Sequence, residues 1–198
     1  MWTDKPVLHI FPYWNWKKGD MVDVWAYYNN ADEVELFLNG KSLGTRSKKG
    51  DDMHVMWKVP YEAGTLKAVS KKNGKIVLTR EIHTAGAAAK IIMEPDRKEI
   101  HADGKDLTFV TIKIVDANGN LVPHADNLVN FKISGPGFVA GVDNGNETDH
   151  ESFRADYRKA FNGLCLTVIQ SKGSNGKIVL TASSNGLTGA TTNIEARK

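Results

Sequence analysis

Apolar and polar residues alternate with a period of two residues in several segments of this chain. The clearest is 21–28, where small or apolar residues interleave with larger or polar ones: Val22, Val24, Ala26 and Tyr28 against Met21, Asp23, Trp25 and Tyr27. The alternation recurs at 33–38, 110–114, 129–133 and 164–168. Period two over such lengths is typical of half-buried β-strands. No long stretch keeps a helical period, so the pattern predicts an all-β protein.

Turn signals separate these segments. The dipeptide Asn-Gly begins at residues 39, 73, 118, 144, 162, 175 and 185. Asn-Gly suits the positive-φ positions of type I′ turns and is the strongest short hairpin signal. Short strands with frequent turns are typical of a β-sandwich or barrel.

A segment of small residues, 84–90, uncharged until Lys90 at its end, separates two halves of different composition. All five tryptophans precede it. A length of 198 residues suits one or two domains. We therefore expect two tandem immunoglobulin-like β-sandwich domains, residues 1–86 and 87–198, hinged near Gly86. Neither half has the Cys…Trp…Cys spacing of an antibody domain.

Charge and hydropathy exclude two classes of partner. The net charge is only +3, and the lysines form short pairs on separate turns instead of one basic stripe. The sequence therefore predicts no nucleic-acid partner. No apolar run is long enough for a transmembrane helix, so no membrane partner is expected. The N-terminus lacks the basic and apolar regions of a signal peptide.

The sequence offers no complete constellation for catalysis. Glycosidases need two carboxylates that face each other across a sugar. Glu33 and Glu35 share one strand face, so they cannot flank a bond, and we expect them to be solvated. A nucleophile elbow, a recognisable triad and a glycine-rich phosphate loop are all missing. We expect no catalytic residue and no cofactor.

Three further features could hold a metal or react. Residues 143–149 cluster oxygen donors of the type that calcium prefers, but their spacing is not that of an EF-hand, and a self-bonded turn is the favoured interpretation. The histidines have no zinc-like spacing. Cys165 lies in a predicted strand and is expected to be a buried, unreactive thiol. We expect no metal site.

The aromatic cluster at residues 11–16 is the most suggestive feature. Alternation prevents all of its rings from entering one core, and Trp25, Tyr27 and Trp57 already supply large rings to the first domain. Tryptophan offers both apolar area and an N–H donor for sugar binding. Packing in a core or domain interface is the other alternative. The candidate contacts with sugar or another domain, expected to be partly exposed here, are Tyr13, Trp14 and Trp16.

The first half resembles the C-terminal region of bacterial β-galactosidases of glycoside hydrolase family 2. The resemblance is carried by residues 9–16, 24–30, 32–44 and 57–61, including the block Glu-Leu-Phe-Leu-Asn-Gly-Lys at 35–41. The second half resembles the next domain of these enzymes and bacterial invasin-like repeats, at residues 95–97, 102–104, 122–123, 141–145 and 161–163. Tyr13 stands where these enzymes often have histidine.

This resemblance implies a non-catalytic accessory region. In such enzymes the catalytic glutamates belong to an upstream TIM barrel, so the expected partner is the catalytic barrel of the same chain, with a β-galactoside glycan as a second possible partner. The chain is then expected to be an excised C-terminal fragment of a periplasmic or secreted parent. The alternative from another class is a free-standing carbohydrate-binding or adhesion module. An independent small hydrolase has little support.

Overall fold

The computed structural model describes residues 3–198; Met1 and Trp2, one of the five tryptophans, lie outside this part. The described residues form strands and connecting turns, in two compact units that divide between Thr84 and Ala85. Each unit is a two-sheet sandwich, which confirms the expected all-β, immunoglobulin-like fold class. The domain boundary after residue 86 stays a prediction. None of the described residues forms a helix with the length and apolarity that crossing a membrane requires.

The first unit packs a three-stranded sheet, in the order β1-β2-β5, on a four-stranded sheet, in the order β4-β3-β6-β7. Every pairing is antiparallel. The strands are β1 (Leu8–Phe11), β2 (Met21–Tyr28), β3 (Glu33–Leu38), β4 (Lys41–Arg46), β5 (His54–Pro60), β6 (Thr65–Lys72) and β7 (Lys75–His83).

Strand alternation builds the core of the first unit. The four small or apolar residues predicted to share one face of β2 are all buried. They pack with Val34 and Leu36 of β3 and with Leu66 of β6. The predicted strands at 21–28 and 33–38 are thereby confirmed, with the bounds that alternation gave them.

Asn-Gly dipeptides close two hairpins of this unit. Asn39 and Gly40 join β3 to β4 with φ values of 51° and 81°, and Asn73 and Gly74 join β6 to β7 with 49° and 73°. Positive φ at both positions is the type I′ requirement. Asn162 with Gly163 also satisfies it, but the other four asparagines do not have positive φ, so the type I′ expectation is wrong there.

The second unit packs a four-stranded sheet, in the order β12-β14-β10-β8, on a five-stranded sheet, in the order β13-β11-β15-β16-β9. The short strand β9 runs parallel to β16, and the other pairings are antiparallel. The strands are β8 (Lys90–Pro95), β9 (Glu99–His101), β10 (Leu107–Val115), β11 (Leu128–Ser134), β12 (Gly137–Asp143), β13 (Tyr157–Lys159), β14 (Leu164–Ser171), β15 (Gly176–Ser183) and β16 (Ala190–Arg197).

Its core is aliphatic. Ile112, Ile169, Ile178, Leu180 and Ile194 are fully buried between the two sheets. The three alternating segments predicted in this half lie within β10, β11 and β14, which confirms them.

Candidate functional site

The aromatic cluster occupies the end of β1 and the irregular segment that follows it. Trp14 lies fully inside the first unit, with no exposed surface. Its Nε1 donates to the carbonyl oxygen of Glu62 at 2.9 Å. Its ring meets that of Tyr61 edge-on, with centroids 5.1 Å apart. The expectation of an exposed Trp14 is therefore wrong: the chain is no longer a strand there, and the indole fits the core because its polar atom is satisfied.

Tyr13 and Trp16 lie on the surface, as expected, with exposed fractions of 37% and 39%. Their rings are stacked, with centroids 5.3 Å apart and an interplanar angle of 12°. The Trp16 Nε1 donates to the Tyr13 carbonyl oxygen at 2.9 Å, which fixes the indole against its neighbour. The pair is a preformed aromatic surface, because both rings are held by local contacts.

A second aromatic surface covers the outer face of the β1-β2-β5 sheet. Trp25 stacks on His54 at a centroid distance of 4.6 Å and also contacts Phe11 and Tyr27. Phe11 is 50% exposed, and Trp25 and Tyr27 are half-buried. Within residues 3–198 the Trp25 Nε1 is shielded from solvent and has no hydrogen-bond partner.

This second surface corrects the sequence interpretation. Trp25 and Tyr27 were expected to supply rings to the core, but of the three rings assigned there only Trp57 is buried. The alternation of β2 already contained the signal, because the opposite face of that strand carries the small and apolar residues that fill the core. Ring size was a poorer guide to burial than strand position.

Glu35, one of the two carboxylates of β3, has a structural role. The Lys71 ammonium lies 2.7 Å from Glu35 Oε2, and the Ser42 hydroxyl donates to Oε1 at the same distance. The bond from Lys71, followed by that from Ser42, lowers the pKa of Glu35. Glu33 and Glu35 are half-buried, not fully solvated as expected. They lie on one strand, so nothing in this geometry places a carboxylate opposite Glu35 across a substrate.

Carboxylate oxygens of the segment at 143–149 accept hydrogen bonds from donors of the same unit. Asp143 Oδ1 accepts from the amides of Asn144 and Gly145. Asp149 Oδ2 accepts from Asn144 Nδ2 at 2.6 Å and from the buried guanidinium of Arg158 at 3.0 Å. These bonds favour the turn interpretation over a calcium site, because the oxygens already serve protein donors.

The one cysteine is shielded. Cys165 is 3% exposed in β14, and burial raises the pKa of its thiol to about 12. A thiol with so high a pKa is not a nucleophile near neutral pH. The expectation of a buried thiol is confirmed.

Comparisons with known proteins agree with the two-unit architecture. A model described as glycoside hydrolase family 2 C-terminal domain 5 matches residues 91–193, and a domain of unknown function matches residues 19–78. A β-galactosidase from Bacteroides ovatus is 55% identical over 197 residues, which cover 100% of this chain and 23% of that protein. A putative β-glucuronidase from Formosa agariphila is 38% identical over 177 residues, which cover 86% of this chain and 17% of that protein.

Solved structures give the same result. A β-glycosidase from Bacteroides vulgatus superposes with a TM-score of 0.93 at 36% identity, over 98% of this chain and 25% of that one. A family 2 glycosyl hydrolase from Bacteroides cellulosilyticus gives 0.89 at 37% identity, over 100% and 29%. The chain belongs to glycoside hydrolase family 2, as an accessory C-terminal region of such an enzyme. It spans less than a quarter of the length of these curated relatives.

Proposed function

We propose that this chain is the non-catalytic C-terminal region of a family 2 β-galactosidase, in which it supports the catalytic barrel and shapes the approach to the active site. The observation that carries the proposal is the 55% identity over the whole chain with the Bacteroides ovatus β-galactosidase. A shared fold persists at much lower sequence identity, so 55% identity over the whole chain favours a shared task as well as a shared fold.

The aromatic surfaces are the proposed contacts. Tyr13 and Trp16 form one, and Phe11, Trp25 and Tyr27 form the other. Interface hot spots are rich in tryptophan and tyrosine, and monomers rarely leave wide apolar patches open without a use. We assign the barrel of the same chain as partner, and a β-galactoside glycan as a second ligand of Tyr13 and Trp16.

The test uses the intact parent enzyme carrying this region. Replacing Tyr13 and Trp16 together by alanine is expected to lower its melting temperature by several degrees if the barrel covers them. If the two rings contact glycan instead, the same double substitution is expected to raise KM for oligosaccharides and to leave KM for aryl galactosides unchanged. Ile76→Ala removes a 66% exposed apolar side chain elsewhere in the same unit and serves as the control. An intact enzyme indifferent to the double change in both measurements contradicts the assignment.

The second candidate is a free-standing carbohydrate-binding or adhesion module, favoured only by the exposure of Tyr13 and Trp16. The full reading frame of the gene separates the two candidates. An upstream catalytic barrel supports the first, and its absence supports the second.

A further inference from the structure

A cleft of about 530 Å³ opens on the first unit. Its walls come from three separate segments: 18–19, which precedes β2; 38–43, which runs from the end of β3 into β4; and 59–62, the end of β5 and the two residues that follow it. The volume lies within the range of small-molecule sites. No function discussed above uses this cleft.

The walls are held in place by hydrogen bonds. The Tyr61 amide donates to the Asp20 carbonyl oxygen at 2.7 Å, and the Gly19 amide donates to the Tyr61 carbonyl oxygen at 3.4 Å. The Asn39 side chain accepts from the Thr65 amide at 2.8 Å. A cleft whose loops are tied in this way costs less ordering when a ligand binds.

The floor of the cleft is apolar. Leu38, Leu43 and Tyr61 line it; Leu43 is half-buried, and Leu38 and Tyr61 each keep 8% of their surface exposed. The hydroxyl group of Tyr61 already pairs with the Thr84 hydroxyl at 3.2 Å, so its polar end is occupied within the unit. Such a floor suits the C–H face of a sugar ring, which packs on apolar and aromatic surface.

The rim carries two lysines without partners. Within residues 3–198, no acceptor or carboxylate pairs with the ammonium groups of Lys18 and Lys41, although both residues line the cleft. Lys71, by contrast, is paired with Glu35 in the same unit. Glu62 is the one acidic residue among those that line the cleft, so the lining has an excess of positive charge.

We propose that this cleft binds an anionic saccharide, a pyranose that carries a carboxylate or a sulfate ester. The apolar floor takes the ring, and Lys18 and Lys41 take the anion. A neutral sugar gives the lysine pair nothing to neutralise, and inorganic sulfate gives the floor nothing to cover. An anionic sugar uses both the apolar floor and the two lysines, so it is expected to bind better than a neutral sugar or an inorganic anion.

Titration calorimetry and NMR shift mapping of the 198-residue chain test the ligand class at low salt. The probes are galacturonate, galactose 6-sulfate, galactose and inorganic sulfate. We expect at least one anionic sugar to shift residues of the cleft and to bind at least about fivefold more tightly than galactose or sulfate, with an affinity that falls as salt rises. The two anionic probes distinguish carboxylate from sulfate recognition. Equal binding of galactose or of sulfate overturns the proposal, as does the absence of binding by both anionic sugars.

Variants test the assigned side chains. Replacing Lys18 and Lys41 together by alanine is expected to weaken the anionic sugar by roughly five- to tenfold, and Glu62→Gln to strengthen it by about twofold, because one removes attraction and the other repulsion. Replacing the exposed Lys72 and Lys75 by alanine removes the same charge elsewhere and is expected to change the affinity little. Equal losses in the two lysine pairs, or weaker binding after Glu62→Gln, overturn the assignment. Thermal melting checks that each variant is folded.

Discussion

The indole nitrogen of Trp14 donates a hydrogen bond to the carbonyl oxygen of Glu62 across 2.9 Å. The bond joins the segment after β1 to the segment after β5, and it satisfies the only polar atom of a side chain that has no exposed surface. Trp14 is therefore a core residue of the first unit, while Tyr13 and Trp16 on either side of it face outward.

Alanine substitutions separate these roles. Trp14→Ala is expected to lower the free energy of unfolding of the first unit by about 3 to 5 kcal/mol, because it leaves a large cavity and an unpaired carbonyl. Trp16→Ala is expected to cost less than about 1 kcal/mol in this chain. Denaturant unfolding followed by tryptophan fluorescence measures both, since all the tryptophans precede residue 84. Similar losses in the two variants contradict the assignment.

The two units are expected to fold separately. We predict that residues 1–86 and residues 87–198 each give a dispersed NMR spectrum when expressed alone. Residues 85–198 are expected to be more stable than 87–198, because the Gly86 amide donates to Asp116 Oδ2 at 2.9 Å and Ala85 is buried. If neither half folds, the boundary or the architecture is wrong. Equal stability of residues 85–198 and residues 87–198 contradicts the role given to Gly86.

Asp116 gives the second unit a specific response to acid. Backbone amides, first that of Gly86, and the Asn120 side chain lower its pKa from 3.8 to about 2. A carboxyl group with a depressed folded pKa contributes stability that is present above the unfolded pKa and is lost as pH falls toward the folded one. The loss is therefore expected between about pH 4 and pH 2.

Asp116→Asn tests this response. We expect lower stability at pH 7, by about 1 to 3 kcal/mol, and a smaller further loss between pH 4 and pH 2. Amide hydrogen exchange followed by mass spectrometry on the intact chain measures the stability of the second unit separately from that of the first. The exposed Asp126→Asn is the control. If Asp116→Asn leaves the loss of stability between pH 4 and pH 2 unchanged, other carboxylates cause that loss and the role given to Asp116 is wrong.

Arg158 is the buried cation of the second unit, with 1% of its side chain exposed. It pairs with Asp149 and donates to the carbonyl oxygens of Val142 and Ser152. Arg158→Met is expected to cost about 3 to 5 kcal/mol, because it leaves a carboxylate and carbonyls without their donor. Exchange rates in residues 143–156 should rise first.

The exposed Arg154→Met is the matched control for Arg158→Met and is expected to change stability by less than about 0.5 kcal/mol. Unchanged exchange in residues 143–156 after Arg158→Met shows that the segment is held by other contacts.

Strand alternation was sufficient to predict the fold class and the strands at 21–28, 33–38 and 164–168, because burial on one sheet face imposes a period of two on the sequence. The same rule places Trp25 on the outer face, although its ring size suggested the core. Alternation stops being informative where the strand ends, which is why Trp14 could not be separated from Tyr13 and Trp16.

Contacts between residues distant in sequence were beyond prediction. Nothing local to Asp116 indicates that it binds the Gly86 amide, and a charged residue such as Arg158 has no sequence signal for full burial. The cleft with Lys18 and Lys41 needs three segments that only the folded sandwich brings together. Long-range pairing, not local propensity, decides these features.

The most direct test of the accessory role is an assay of the 198-residue chain alone with aryl β-galactosides at high protein concentration. We expect no turnover above the buffer rate, because the chain is an accessory region of a family 2 enzyme and its neighbouring carboxylates Glu33 and Glu35 share one strand. Activity that survives repurification and disappears when one carboxylate of this chain is replaced by its amide would contradict it.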